Sequence, residues 1–131
     1  RNNPDIIITG WIEDVPKYIS AADVMVLPSY REGFSMVIQQ AMAMAIPVIT
    51  TDIPGPSEVI ENGISGLLVQ PKSTESLFDV MNWTISHSKQ CQMMGASGRL
   101  RCETLFSRDR MLGLTLLDRE DILKSGPVDK K

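Results

Sequence analysis

Four short apolar runs, each closed by Gly, Pro or a polar turn and each followed by a helical pattern, most constrain the fold this chain can adopt. They fall at residues 5–9 (DIIIT), 24–27 (VMVL), 47–51 (PVITT) and Leu67–Val69. Rich in branched residues and without polar alternation, they read as strands buried on both faces. Helical patterns are predicted at 15–22 with Pro16 in the first turn, at 36–45 behind a Ser35 cap, and at 57–61 behind a Ser57 cap. A fourth spans 75–86, capped by Thr74 or Ser73. Two more helices, about 90–105 and 108 towards 123, complete the chain. Strand and helix in alternation mean parallel strands joined by crossover helices. The fold class is therefore α/β, a Rossmann-like doubly wound parallel sheet. Its ligands are expected at the carboxyl ends of the strands, in the loops after Leu27, Thr51 and Val69.

The chain has 131 residues, room for one domain or part of one. Its apolar share of 43% supports a packed core rather than disorder. A net charge of −3, with no basic cluster, excludes a nucleic-acid partner and a polybasic membrane anchor. No apolar stretch approaches the roughly 18–20 residues of a membrane span. Two cysteines and one histidine give neither a disulfide framework nor a zinc spacing. That usage points to a reducing, cytoplasmic setting. The first residue is not Met, no signal peptide precedes the first strand pattern, and the chain reads as a piece of a longer protein.

The densest chemistry lies in Leu27-Pro28-Ser29-Tyr30-Arg31-Glu32-Gly33-Phe34-Ser35-Met36-Val37, where a strand ends, the chain turns through a glycine and a helix begins. A helix N-terminus offers unpaired amides and partial positive charge, a natural seat for phosphate. Glu32 stands just before that seat and would repel a bare phosphate. It is suited instead to accept hydrogen bonds from sugar hydroxyls beyond the phosphate. The corner thus fits a nucleotide-sugar, with pyrophosphate on the helix end and sugar under the carboxylate. Arg31 is the one cation beside it in sequence.

Gly10 followed by PKYISAADVMVLPS, then EGFSMVIQQAMAMAIPVITTDIPGPSEVIENGISGLLV and the later MGASGR, resemble the C-terminal donor-binding domain of family 4 retaining glycosyltransferases of the GT-B fold. The resemblance covers about residues 6–107. It implies a partial GT-B domain over 1–107, an added helix over 108–124 and a disordered tail over 125–131. It also implies transfer of a sugar, with retention, from a nucleotide-diphosphate sugar to a glycan or lipid-linked acceptor. Neither a metal nor a cofactor is expected, and peripheral membrane association of the longer protein is. Glu32 matches the first Glu of the family's E-x7-E motif, which contacts the donor sugar. Gly33, Phe34 and Ser35 match the stretch whose backbone approaches sugar hydroxyls, and Met36 and Val37 the amides near the diphosphate. The second Glu falls on Gln40, at the ribose position. An amide has one acceptor oxygen where a carboxylate has two, and the lost charge-assisted bond costs about 1–3 kcal/mol.

By the same resemblance, an acceptor-binding domain and the two strands that open the donor domain, with their Arg and Lys for the diphosphate, lie outside this sequence. The chain alone is expected to be inert. In a sheet of order 3-2-1-4-5-6, residues 5–9 form the third strand and 24–27 the fourth, with strands one and two between them. Without those two, rearranged pairing or an exposed edge is expected. Two other readings remain: a degenerate GT-B scaffold, favoured by Gln40, and a nucleotide-sugar epimerase.

Other residues carry less. Met36, Met42 and Met44 read as helix packing. Ser35 reads as a cap rather than a nucleophile, and His87 as a surface or packing residue. Asp52 and Glu58 read as cleft lining or as caps. Cys91 and Cys102, eleven residues apart, share a face if one helix spans both, and read as buried thiols.

Overall fold

The computed structural model describes residues 3–125. Three strands, β1 (Met25–Leu27), β2 (Val48–Thr51) and β3 (Leu67–Val69), form one parallel sheet in the order β1-β2-β3. Met25 pairs with Val48 across the first ladder and Ile49 with Leu67 across the second. Among the described residues six helices complete the element order: α1 (Val15–Ser20), α2 (Met36–Ala43), α3 (Pro56–Val59), α4 (Thr74–Ser86), α5 (Ser88–Leu105) and α6 (Arg108–Ser125). The α/β class with parallel strands is as the sequence predicts.

The middle strand explains why. All four residues of β2 are buried, as its unbroken apolar and branched sequence requires when both ladders and both faces are covered. Val48 joins Ile38, Ala41 and Met42 of α2, with Val59 and Ile60, in one apolar cluster. Burying side chains of this size stabilises the fold by about 1.5–3 kcal/mol each. Thr50 and Thr51 are buried too, and both hydroxyls are satisfied. Thr50 Oγ1 donates to the Leu27 carbonyl at 2.9 Å and Thr51 Oγ1 to the Ser29 carbonyl at 2.6 Å.

Helix α5 packs on α2. It approaches so closely that a Cβ on Gly95 would run into the carbonyl of Ala45. Ala45 itself takes a left-handed conformation, φ 59°, just past the end of α2, where glycine is the usual residue. Ser73 caps α4, its hydroxyl accepting from the Ser76 amide at 3.1 Å. Along that helix Thr84 is buried as its spacing suggests, whereas Ile85 is 80% exposed.

The strand expected at 5–9 is not formed. Ile6, Ile7 and Ile8 are 64%, 84% and 90% exposed, and the segment joins no ladder among the described residues. Branched residues favour extended backbone, but a strand exists only where a neighbour takes its amides and carbonyls. Two caps also differ. Ser35 occupies the N-cap of α2 without a side-chain capping bond. Ser57 is not a cap: α3 starts at Pro56 behind Gly55, and the Ser57 hydroxyl donates back to the Ile53 carbonyl at 2.8 Å. Of the methionines, Met42 is fully buried and Met44 packs against the core, but Met36 is 67% exposed. The tail predicted over 125–131 lies outside the described residues from 126 onward, and Ser125 closes α6.

Candidate functional site

The corner after β1 is built by its neighbours rather than by its own secondary structure. Residues 28–35 contain no helix or strand. Their path is set first by the two threonines of β2, which hold the Leu27 and Ser29 carbonyls. The Ser29 hydroxyl then donates to Glu32 Oε2 at 3.2 Å. Glu32 is half-buried, and a carboxylate has acceptor capacity beyond that one bond. Arg31 is exposed.

Beyond Glu32 the chain passes through Gly33 and Phe34, both exposed, to Ser35, which is buried and extended at φ −63° and ψ 112°. Met36 then opens α2. Because the Ser35 side chain does not cap the helix, the first amides of α2 keep their donor capacity for an anion. Val37 and Gln40, both half-buried, lie within the first two turns of α2. The corner therefore combines one carboxylate with a helix N-terminus, and Gln40 follows on that same helix.

A cleft of about 100 Å³ lies where the three strands end, lined by Tyr30, Thr51, Gln70 and Lys72 among others. Lys72 has φ 61° and is exposed at this carboxyl end. A separate cavity of about 470 Å³ sits at the opposite, amino end of the sheet, beside Val24, Pro47 and Cys91. Open parallel sheets bind ligands at the carboxyl end, so the smaller cleft and the adjoining corner are the candidate site.

Asp52 stands at the end of β2. Its amide bonds the Val69 carbonyl at 2.9 Å. Glu58 lies in α3, and its carbonyl accepts from Arg101 at 3.3 Å. His87 stacks on Trp83 with ring centroids 4.4 Å apart, and its Nδ1 lies 2.8 Å from the Trp83 carbonyl, a packing role. Cys91 and Cys102 do share α5. Cys91 is buried and Cys102 half-buried, and burial pushes both thiols upward in pKa. Among the described residues no group of three or more His, Cys, Asp or Glu is gathered as metal ligands. No helix among them is long and apolar enough to cross a membrane.

Four residues with a part in this site carry no local sequence signal: Ser29, Thr51, Gly55 and Phe106. Thr51, Gly55 and Phe106 act through contacts with side chains or backbone distant in the chain. Ser29 is the partial exception, since a hydroxyl three residues before an acid can reach it across a turn.

A family model described as glycosyl transferases group 1 matches residues 1–87. The capsular polysaccharide biosynthesis glycosyltransferase CapM of Staphylococcus aureus is 30% identical over 105 residues, which are 80% of this chain and 28% of CapM. The UDP-Gal:alpha-D-GlcNAc-diphosphoundecaprenol alpha-1,3-galactosyltransferase of Escherichia coli is 30% identical over 76 residues, 58% of this chain and 20% of that enzyme. Among solved structures, a glycosyltransferase from Rickettsia africae superposes with a TM-score of 0.84 at 28% identity, covering 92% of this chain and 33% of the other. The chain thus spans about a quarter of the length of the relatives it matches.

Proposed function

We propose, from the premise that this chain belongs to the glycosyl transferases group 1 family, that it forms the donor side of a sugar-transfer enzyme. The donor is a nucleotide-diphosphate sugar. The observation that carries the reading is the half-buried Glu32 carboxylate immediately before an N-terminus whose amides no side chain caps. Glu32 accepts hydrogen bonds from hydroxyls of the donor sugar and orients it. Backbone at Gly33, Phe34 and Ser35 lines the sugar. The amides at Met36 and Val37 receive the diphosphate, and Gln40 meets the ribose. Electrostatic stabilisation of the departing diphosphate is a large part of such catalysis. The helix end supplies some of it, and cationic groups elsewhere in the longer protein supply the rest.

The named activity of the E. coli relative, UDP-galactose as donor and a lipid-linked acceptor, supports a nucleotide-sugar and a glycan or lipid-linked acceptor here. The family resemblance supports transfer with retention and peripheral membrane association of the longer protein, and the cysteine usage supports a cytoplasmic setting. Residues 1–107 form the partial donor domain and 108–124 an added helix.

The test is sugar transfer by the full-length protein, with a panel of UDP-, GDP- and dTDP-hexoses. Glu32→Ala lowers kcat/KM for the donor by about a hundredfold or more, as removal of a transition-state contact does. Unchanged turnover would remove Glu32 from the site.

Gln40 favours a second reading, a scaffold that has lost transfer activity. Gln40→Glu separates the two. An enzyme tuned to its donor changes donor affinity and stays active. A scaffold transfers no sugar before or after the change.

A further inference from the structure

A turn without helix or strand is only as fixed as what packs on it. The turn that carries Glu32 is held on two sides. On one, Gly55 (φ 93°) lies directly against the carbonyls of Gly33 and Glu32, and a Cβ there would run into both oxygens. On the other, the Phe34 ring meets the ring of Phe106 edge to face, with centroids 5.2 Å apart and planes at 73°.

Phe106 is well placed to resist movement. It follows the last residue of α5, and its amide bonds the Cys102 carbonyl at 3.0 Å. The Arg101 guanidinium lies 6.0 Å from the centre of its ring. Arg101 is itself tied down at the end of α3. Its Nε donates to the Val59 carbonyl at 2.8 Å, its Nη2 to the Glu58 carbonyl at 3.3 Å, and its Nη1 lies 3.5 Å from Glu61. One end of α5 therefore links the end of α3 to the turn after β1. The ring pair is the contact through which that link reaches Phe34, two residues from the carboxylate.

We propose that Phe106 is a positioning residue for Glu32, fixing the Gly33-Phe34 backbone through the Phe34 ring while Gly55 abuts the Glu32 and Gly33 carbonyls. The inference rests on the reading of Glu32 as the donor-sugar contact. A carboxylate that must meet particular hydroxyls tolerates little displacement, so loosening the turn costs transfer without removing any group that touches substrate.

The experiment uses the full-length protein and whichever nucleotide-hexose of the panel above it turns over. Phe106→Tyr keeps the ring and stays within about twofold of wild type. Phe106→Leu keeps apolar bulk but loses the edge contact, and it lowers kcat/KM for the donor by about tenfold or more while the acceptor KM holds. Phe34→Leu breaks the same contact from the turn side and shows the same loss, which keeps the test decisive if Phe106→Leu folds poorly. Because the ring acts through the carboxylate, Phe106→Leu added to Glu32→Ala costs nothing further. A loss that adds in full to that of Glu32→Ala, or Leu variants with wild-type donor kinetics, would overturn the inference alone. Wild-type turnover by Glu32→Ala, or no turnover of any donor, overturns the Glu32 reading and the inference with it.

Discussion

Two stretches of similar composition have opposite fates in this molecule. Residues 48–51 are VITT and residues 6–8 are III, both rich in branched side chains. The first is β2, with a ladder on each side and every residue buried. The second is unpaired, with Ile8 90% exposed. Intrinsic preference for extended backbone is common to both, so it does not decide the outcome. Neighbours decide it. β2 has β1, β3 and α2 around it, and its two threonines find carbonyls to bond. The same packing that buries β2 also sets the corner that carries Glu32.

The sharpest way to break this comparison is to truncate one isoleucine in each stretch. Ile49→Ala leaves a cavity in the packed sheet and costs about 2–5 kcal/mol. Ile7→Ala removes an exposed side chain and costs no more than about 0.5 kcal/mol. Urea unfolding of the 131-residue chain measures both, and equal costs would contradict the contrast. Repeating the pair in the full-length protein sharpens it. A large Ile7 cost appearing only there would mean that the run is paired by residues beyond this chain.

Next in size is the bond from β2 to the corner. Thr51→Val keeps the shape, loses the 2.6 Å bond to Ser29 and leaves that carbonyl short of a partner, at about 1–2 kcal/mol by the same unfolding measurement. No change in midpoint would mean that the threonine does not hold the turn. Smaller, and opposite in sign, is Ala45→Gly. Relief of a left-handed alanine raises stability by about 1 kcal/mol, readable as a higher melting temperature.

The smallest effect is a pH dependence. Burial raises the Cys91 thiol, so the folded chain favours its neutral form. The stability this gives is complete below the ordinary thiol value of about 8.5 and is lost as pH rises through the higher folded value. Alkylation of Cys91 in the native protein at pH 8.5 is accordingly slower than in urea. Equal rates would show that the packed half admits water.

The contrast also explains what the sequence made legible. Helices and strands from α1 to α5 follow local rules of periodicity, turn residues and burial, and these fall close to their expected places. Cap detail followed at Ser73 but not at Ser35 and Ser57, which each satisfied a generic cap pattern while tertiary geometry set their bonds. The strand at 5–9 failed for the reason already given: pairing is not a local property. At the site, Glu32, Gly33 and the start of α2 are contiguous and so were readable as one corner. Its supports were not. Thr51, Gly55 and Phe106 reach that corner only through the fold, and a contact of that kind leaves no spacing to find.

The central claim is that the Glu32 carboxylate reads the sugar of an activated donor while the start of α2 receives its diphosphate. A crystal structure of the full-length protein with its bound nucleotide-sugar tests it most directly. The account predicts a Glu32 oxygen about 2.5–3.0 Å from a sugar hydroxyl and the diphosphate against the amides at Met36 and Val37. A donor seated elsewhere, with Glu32 bonded only to Ser29, would contradict it.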